Sequence, residues 1–159
     1  MTVGNKTTIT AEPNTQNIVT TRVINAPRDR VFQAYVDPEL YKQWVGPRNL
    51  TMDLQEFNCT PGGSYRFVHT DPDGNAYGFK GVFHDVVENE RIVQTFEFDG
   101  YPGHISLEEL TLEDVEGGTL ITTNSVYQSV EDRDGMAQSG MEVGLNDGYE
   151  RLEELLGAK

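Results

Sequence analysis

The chain has 159 residues, enough for one domain with a proper core. It carries 26 acidic against 12 basic residues, a formal net charge of −14. Such a surface repels phosphate backbones and anionic lipid, so neither nucleic acid nor membrane insertion is expected. The acidity reads as solubility or life in a salty cytoplasm; attraction of a cationic partner has no local cluster in the sequence behind it. Hydrophobic content of 36% is low but compatible with a globular fold.

Residues 1–17 are rich in Thr, Asn and Gly, hold no apolar core of signal-peptide length, and read as a flexible N-terminal tail. No spanning run follows, and the single Cys59 precludes a disulfide framework, so a cytoplasmic protein is expected. Cys59 has no basic neighbour and reads as a small buried residue rather than a nucleophile. Residues 18–24 are a β-branched run typical of a strand, stopped by Asn25-Ala26-Pro27. Asn25 or Ala26 can precede a helix with Pro27 in its first turn and Val31, Phe32, Ala34, Tyr35 and Val36 on its apolar side. Asp37 caps a second short helix, residues 38–44, which ends at Val45-Gly46-Pro47.

From residue 50 to residue 127 the pattern becomes short strands between turn signals. Residues 51–58 form one strand. After Pro61-Gly62-Gly63, residues 64–70 alternate, with Tyr65, Phe67 and His69 in one register; His69 reads as inward-facing or as a strand-end surface residue. Asp71-Pro72-Asp73-Gly74 is a hairpin turn into residues 76–87, where Tyr77, Phe79, Gly81 and Phe83 alternate. Residues 91–98 carry Ile92, Phe96 and Phe98 in register. Residues 105–113 and 119–127 form the last pair. Glu108 shares the register of Leu110 and Leu112, so it points inward unless a bulge returns it to solvent. Thr123, Ser125 and Tyr127 either offer hydroxyls to an interior or are β-formers on a half-buried strand. Trp44, the only Trp, either packs under the short helices or lids a cavity mouth.

The segment 129–157 ends in a clear amphipathic helix: Met141, Leu145, Gly148, Leu152, Leu155 and Leu156 share one face. A break is expected at Gly135 and a restart at a capping box, Ser139 with Glu142. Gly140, Gly144 and Gly148 stand four apart along one edge of that face. An interior glycine costs a helix roughly 0.8–1 kcal/mol relative to alanine, so either a backbone packs closely there or a groove is left open. The order strand, two helices, six strands, long helix gives an α+β class. One helix cannot cover both faces of such a sheet, which predicts a curved antiparallel sheet of about six or seven strands wrapped around the C-terminal helix. Two short helices would close one end, and Gly62, Gly63, Gly78 and Gly81 would supply curvature. Residues 18–157 form this single domain.

A concave sheet gripping a helix leaves volume for a small apolar ligand. Its expected lining is Trp44, Tyr65, Phe67, His69, Phe79, Phe83, Phe96, Glu108, Ser125, Tyr127, Met141, Leu145 and Tyr149. No zinc-helix spacing, nucleophile elbow, phosphate loop or dinucleotide fingerprint is present, so no catalytic motif, metal or cofactor is expected. Three functions remain: a binding module for a small hydrophobic molecule, an enzyme acting on an apolar substrate, or a protein-interaction module. The second needs polar groups converging on the cavity, with Glu108, His69, Ser125 and Tyr127 the candidates. The third needs an exposed apolar patch on the outer sheet face. A homodimer is left open.

Several stretches together resemble a known family: Asn25-Ala26-Pro27 before Val31-Phe32, Trp44 near Gly46-Pro47, and Pro61-Gly62-Gly63-Ser64-Tyr65-Arg66. Asp71-Pro72-Asp73-Gly74, Gly81 with Val86, Glu90-Arg91-Ile92-Val93 before Thr95-Phe96, Gly118-Thr119, and the C-terminal Gly140-Met141, Gly144, Gly148-Tyr149, Arg151-Leu152 and Leu155 join them. Over residues 18–156 the chain is similar to the family related to the Hsp90 ATPase activator, within the START-like (Bet v 1-like, polyketide cyclase) superfamily. The resemblance implies a helix-grip fold. It also implies a cavity that in the wider superfamily holds lipids, hormones or polyketides, with cyclisation or hydrolysis in some members. The co-chaperone that gave the family its name carries a separate N-terminal domain, and the short tail here counts against a chaperone partner.

Overall fold

The computed structural model describes residues 6–157. Eight strands form one antiparallel sheet: β1 (Thr8–Thr10), β2 (Asn17–Ile24), β3 (Thr51–Phe57), β4 (Ser64–Thr70), β5 (Ala76–Val87), β6 (Arg91–Phe98), β7 (Ile105–Val115) and β8 (Gly118–Val126). The spatial order is β1-β2-β8-β7-β6-β5-β4-β3. Six strands therefore run as a meander, and β2 closes back beside β8. Helices α1 (Arg28–Val36) and α2 (Pro38–Tyr41) lie between β2 and β3, and α3 (Val130–Ala137) and α4 (Met141–Leu155) follow β8. This is the helix-grip arrangement, with a curved sheet around the C-terminal helices.

Three expectations are corrected. The tail reading fails over Thr8–Thr10, which pair with β2. Side chains hold this end: Arg22 donates to Thr7 Oγ1 at 3.1 Å, Arg133 to Thr15 Oγ1 at 3.1 Å, and Gln16 to the Tyr127 carbonyl at 2.9 Å. Residues 1–5 of the expected tail lie outside the described residues. The C-terminal segment is two helices, and the break is not at Gly135, which sits inside α3. The capping box at Ser139 does not form. Its hydroxyl donates back to the Met136 carbonyl at 2.7 Å, which also accepts the Ser139 backbone N–H at 3.1 Å at the end of α3. Gly140, at φ 85°, starts α4 instead. Asp37 caps α2 as its sequence suggests, accepting from the Glu39 N–H at 2.9 Å. That helix stops at Tyr41, and residues up to Trp44 continue as turns.

Curvature has a visible cause. The ladder shifts register between Leu54 and Glu56 and between Phe83 and Asp85. Beside the second shift, Gly81 lets the sheet fold over its own side chains: a Cβ there would stand 1.9 Å from the Thr95 carbonyl oxygen and 2.6 Å from the Tyr65 ring.

The core sits between the concave face and the helices. Ile24, Val31, Ala34, Ile121 and Leu152 are fully buried. The C-terminal half of α4 packs into this core through Tyr149 and Leu152, with Leu156 just beyond its end. A buried ion pair, Arg22 with Glu153 at 3.1 Å, ties the helix to β2. The N-terminal half is different: Met141 and Leu145 are only half-buried. On the convex face Leu107 and Val126 pair across β7 and β8 and stay exposed, with Ile105 close by.

Candidate functional site

Between the concave sheet and the N-terminal half of α4 lies a cavity of about 910 Å³. That is within the span of small-molecule sites, roughly 300–1,000 Å³. Eleven of the thirteen expected residues line it: Trp44, Phe67, His69, Phe79, Phe96, Glu108, Ser125, Tyr127, Met141, Leu145 and Tyr149. Tyr65 and Phe83 do not. Tyr65 lies flat in the space left by Gly81, where its phenol donates to the Thr95 carbonyl at 2.6 Å and accepts from Gln94 at 3.1 Å. Phe83 is wedged between Tyr65 and Phe57, with ring centroids at 5.2 and 5.7 Å. Both fill the narrow end of the sheet as solid core.

Trp44 is a fixed wall rather than a lid. Its indole N–H donates to the Ala34 carbonyl at 3.0 Å, its ring meets Tyr35 edge-on at 4.9 Å, and it stacks near Tyr149 at 6.3 Å. The loop carrying it is clamped to α4, where Arg151 donates to the Gln43 carbonyl at 2.7 Å and the Gly46 carbonyl at 3.3 Å. This clamp explains part of the glycine edge. At Gly148 the loop backbone comes so close that a Cβ would stand 3.2 Å from the Trp44 carbonyl oxygen; at Gly144 it would touch Pro47 at 3.5 Å; at Gly140 it would meet open space. Close approach and open groove therefore both occur, at opposite ends of one edge.

His69 is buried, not a strand-end surface residue. Its ring lies under Gly46, where a Cβ would come within 2.5 Å of it. The Val45 carbonyl lies beside the ring, and Nε2 is buried without a partner. Burial holds its pKa below the ordinary histidine value, so the ring is neutral at neutral pH.

No bulge interrupts β7, and Glu108 stays in register with Ser106 and Leu110, facing the cavity. Ser125, directly opposite on β8, donates to its Oε2 at 3.4 Å. Burial pushes the carboxyl from 4.5 up to about 7, against the opposing Ser125 hydrogen bond. The Tyr127 phenol lies beside Ser125, and that of Tyr149 beside Tyr35 and Thr123. Three of the four polar candidates, Glu108, Ser125 and Tyr127, thus converge, whereas His69 stands three strands away on β4. The phenols of Tyr35, Tyr41, Tyr127 and Tyr149 are all pushed up by burial, and the nearby Glu108 charge pushes the same way.

Further lining side chains had no signal in the sequence. Tyr35 read only as part of the apolar side of α1, and Tyr41 lies at the end of α2. Gln94 shares the register of Ile92 and Phe96, and that alternation could have placed it inside. Met136, Tyr101 and His104 lie near the mouth. His104 Nδ1 is 2.8 Å from an Asp132 carboxylate oxygen, joining the β6–β7 loop to α3. Cys59 is half-buried, and burial raises its thiol to about 11, an inert group at neutral pH. Among the described residues no cluster of three or more His, Cys, Asp or Glu could hold a metal ion, and no helix is long and apolar enough to cross a membrane.

Solved structures share this architecture. A Rhodobacter sphaeroides protein is 27% identical, with 96% of this chain and 99% of that one covered and a TM-score of 0.87. A Staphylococcus epidermidis protein is 27% identical over 93% of each chain, with a TM-score of 0.80. A Mycobacterium smegmatis protein, at 23% identity over 96% and 98% of the chains and a TM-score of 0.85, shows the fold alone. No curated protein matches. The sequence model for the Activator of Hsp90 ATPase homolog 1-like protein matches residues 25–157, from the loop before α1 to the end of α4, and the chain belongs to that family.

Proposed function

We propose that the protein binds a small hydrophobic or lipid-like molecule in the cavity between the curved sheet and α4. One observation carries this reading: the N-terminal half of α4 stands over about 910 Å³ walled mainly by aromatic and aliphatic side chains, while the C-terminal half packs solidly. Trp44 is the only Trp and stands in the wall, so its emission reports on the interior. Titration with a neutral solvatochromic dye should shift both dye and Trp44 emission. Leu145→Trp, which fills the cavity, should abolish the response. Absence of any response in the wild-type protein, with native mass spectrometry showing no co-purified guest, would remove this reading. The lone half-buried Cys59 fits a reducing, cytoplasmic setting.

A second reading, acid–base chemistry on the bound guest, is favoured by one observation. Glu108, with a carboxyl near 7, stands beside the Ser125 and Tyr127 hydroxyls, where a proton could be taken or given at neutral pH. It predicts turnover of an apolar ester or enone with a pH–rate break near 7 that Glu108→Gln removes. A flat zero across such a panel leaves binding alone.

A further inference from the structure

The cavity is chemically one-sided. Glu108 stands in its apolar part, and its one hydrogen bond, from Ser125, is long at 3.4 Å. Among the described residues no Lys or Arg lines the wall, and the other carboxylates in the lining are Glu131 and Asp132, at the α3 end. The neutral walls near Glu108 are electron-rich rings, including Tyr35, Tyr41, Tyr127 and Tyr149, the last already carrying the Arg22 guanidinium at 5.7 Å from its centre. Aromatic faces attract cations, and a carboxylate short of donors in a low-dielectric cavity does so more strongly. A fatty-acid carboxylate entering here would meet no cation and one repelling charge. The formal net charge of −14 adds a long-range field of the same sign.

We infer that the guest is a lipophilic amine, with its ammonium group at Glu108 and its hydrocarbon body along Phe67, Phe79, Phe96 and Leu145. This rests on the binding reading above and adds the chemical class of the ligand. The groups that face Glu108 from other elements do not supply a competing charge. The phenols of Tyr35 on α1, Tyr41 on α2, Tyr65 on β4, Tyr149 on α4 and Tyr127 after β8 are held protonated by burial, and His69 on β4 is held neutral. His104 and Asp132, paired at 2.8 Å, and Glu131 complete the charged or titratable lining, together with the mouth phenol of Tyr101.

The test compares three guests that differ only in head group, octylamine, octanol and octanoate, by Trp44 emission and calorimetry at pH 8. Octylamine should bind at least tenfold more tightly than octanoate, with octanol between them. In Glu108→Gln the amine-to-carboxylate ratio should fall to threefold or less. In the wild-type protein the same ratio should fall at pH 5.5, where Glu108 holds its proton. Octanol measured at both pH values controls for the groups at the mouth. Octanoate binding as well as octylamine, or a ratio unmoved both by Glu108→Gln and by pH, overturns the amine assignment while leaving the cavity a hydrophobic site. Failure of all three guests to reach Trp44 overturns the binding reading and the amine assignment with it.

Discussion

Replacing Glu108 by glutamine should make the ligand-free protein more stable at pH 8 and leave its stability unchanged at pH 4. The carboxyl titrates ordinarily at 4.5 and in the fold at about 7, because burial disfavours its charged form. Below 4.5 both the folded and the unfolded chain hold the proton, and the site costs nothing. Between 4.5 and 7 the folded chain holds a proton that the unfolded chain has released, so stability falls as pH rises. Above 7 both are ionised and the full penalty remains. Each pH unit is worth about 1.4 kcal/mol, which sets a ceiling of about 3 kcal/mol. Water entering the cavity screens the charge, so a difference of about 1–3 kcal/mol is expected, or roughly 2–10 °C in Tm for a domain of this size. Glutamine keeps the shape and can still accept from Ser125. Urea or thermal unfolding of both proteins at intervals from pH 4 to 8 isolates the effect, since every other carboxylate is common to the two. Parallel curves, or a glutamine variant less stable at pH 8, would show that the carboxylate is not a desolvated charge.

Three further substitutions probe the frame around the cavity. Gly144→Ala places a methyl in ordinary contact with Pro47 at 3.5 Å, so the gain in helix propensity should raise stability by about 0.5–1 kcal/mol in urea titrations. Gly140→Ala meets open space yet must hold φ 85°, and should lower stability by about 1–2 kcal/mol in the same assay. Glu153→Ala leaves the guanidinium of Arg22, only 4% exposed, without its carboxylate, and chemical denaturation should register a loss of about 3 kcal/mol.

The fold was legible where short-range pattern decides it. Alternation in β4 and β6 placed Phe67 and Phe96 inward, and the 3.6-residue period of α4 placed Met141 and Leu145 toward the sheet. Where it misled, contacts distant in sequence had overridden local preference. Residues 8–10 read as tail because Thr-Ile-Thr is too short to announce a strand; Arg22 and the β2 edge make it one. Ser139 looked like a helix cap, but its hydroxyl turns back, with its own N–H, to the Met136 carbonyl at the end of α3. Tyr65 and Phe83 have the right parity for a cavity wall. Parity gives the face of a sheet, however, and not the position along it where a cavity ends. That boundary is set by Gly81 and the Phe83/Asp85 register shift, which let the narrow end collapse onto Tyr65.

Several local costs in this molecule meet in one place. Two interior glycines weaken α4, a carboxyl is held near 7 by burial, and His69 Nε2 is buried without a partner. All three lie in the wall of one cavity, while the opposite end of the same helix packs with Leu152 fully buried. Local rules broken together around a cavity mark a part of a protein whose form answers to something other than its own stability. At Gly144 the chain forgoes the helix propensity of alanine although a methyl would fit against Pro47 at 3.5 Å, in the wall of the cavity where a guest would meet Glu108.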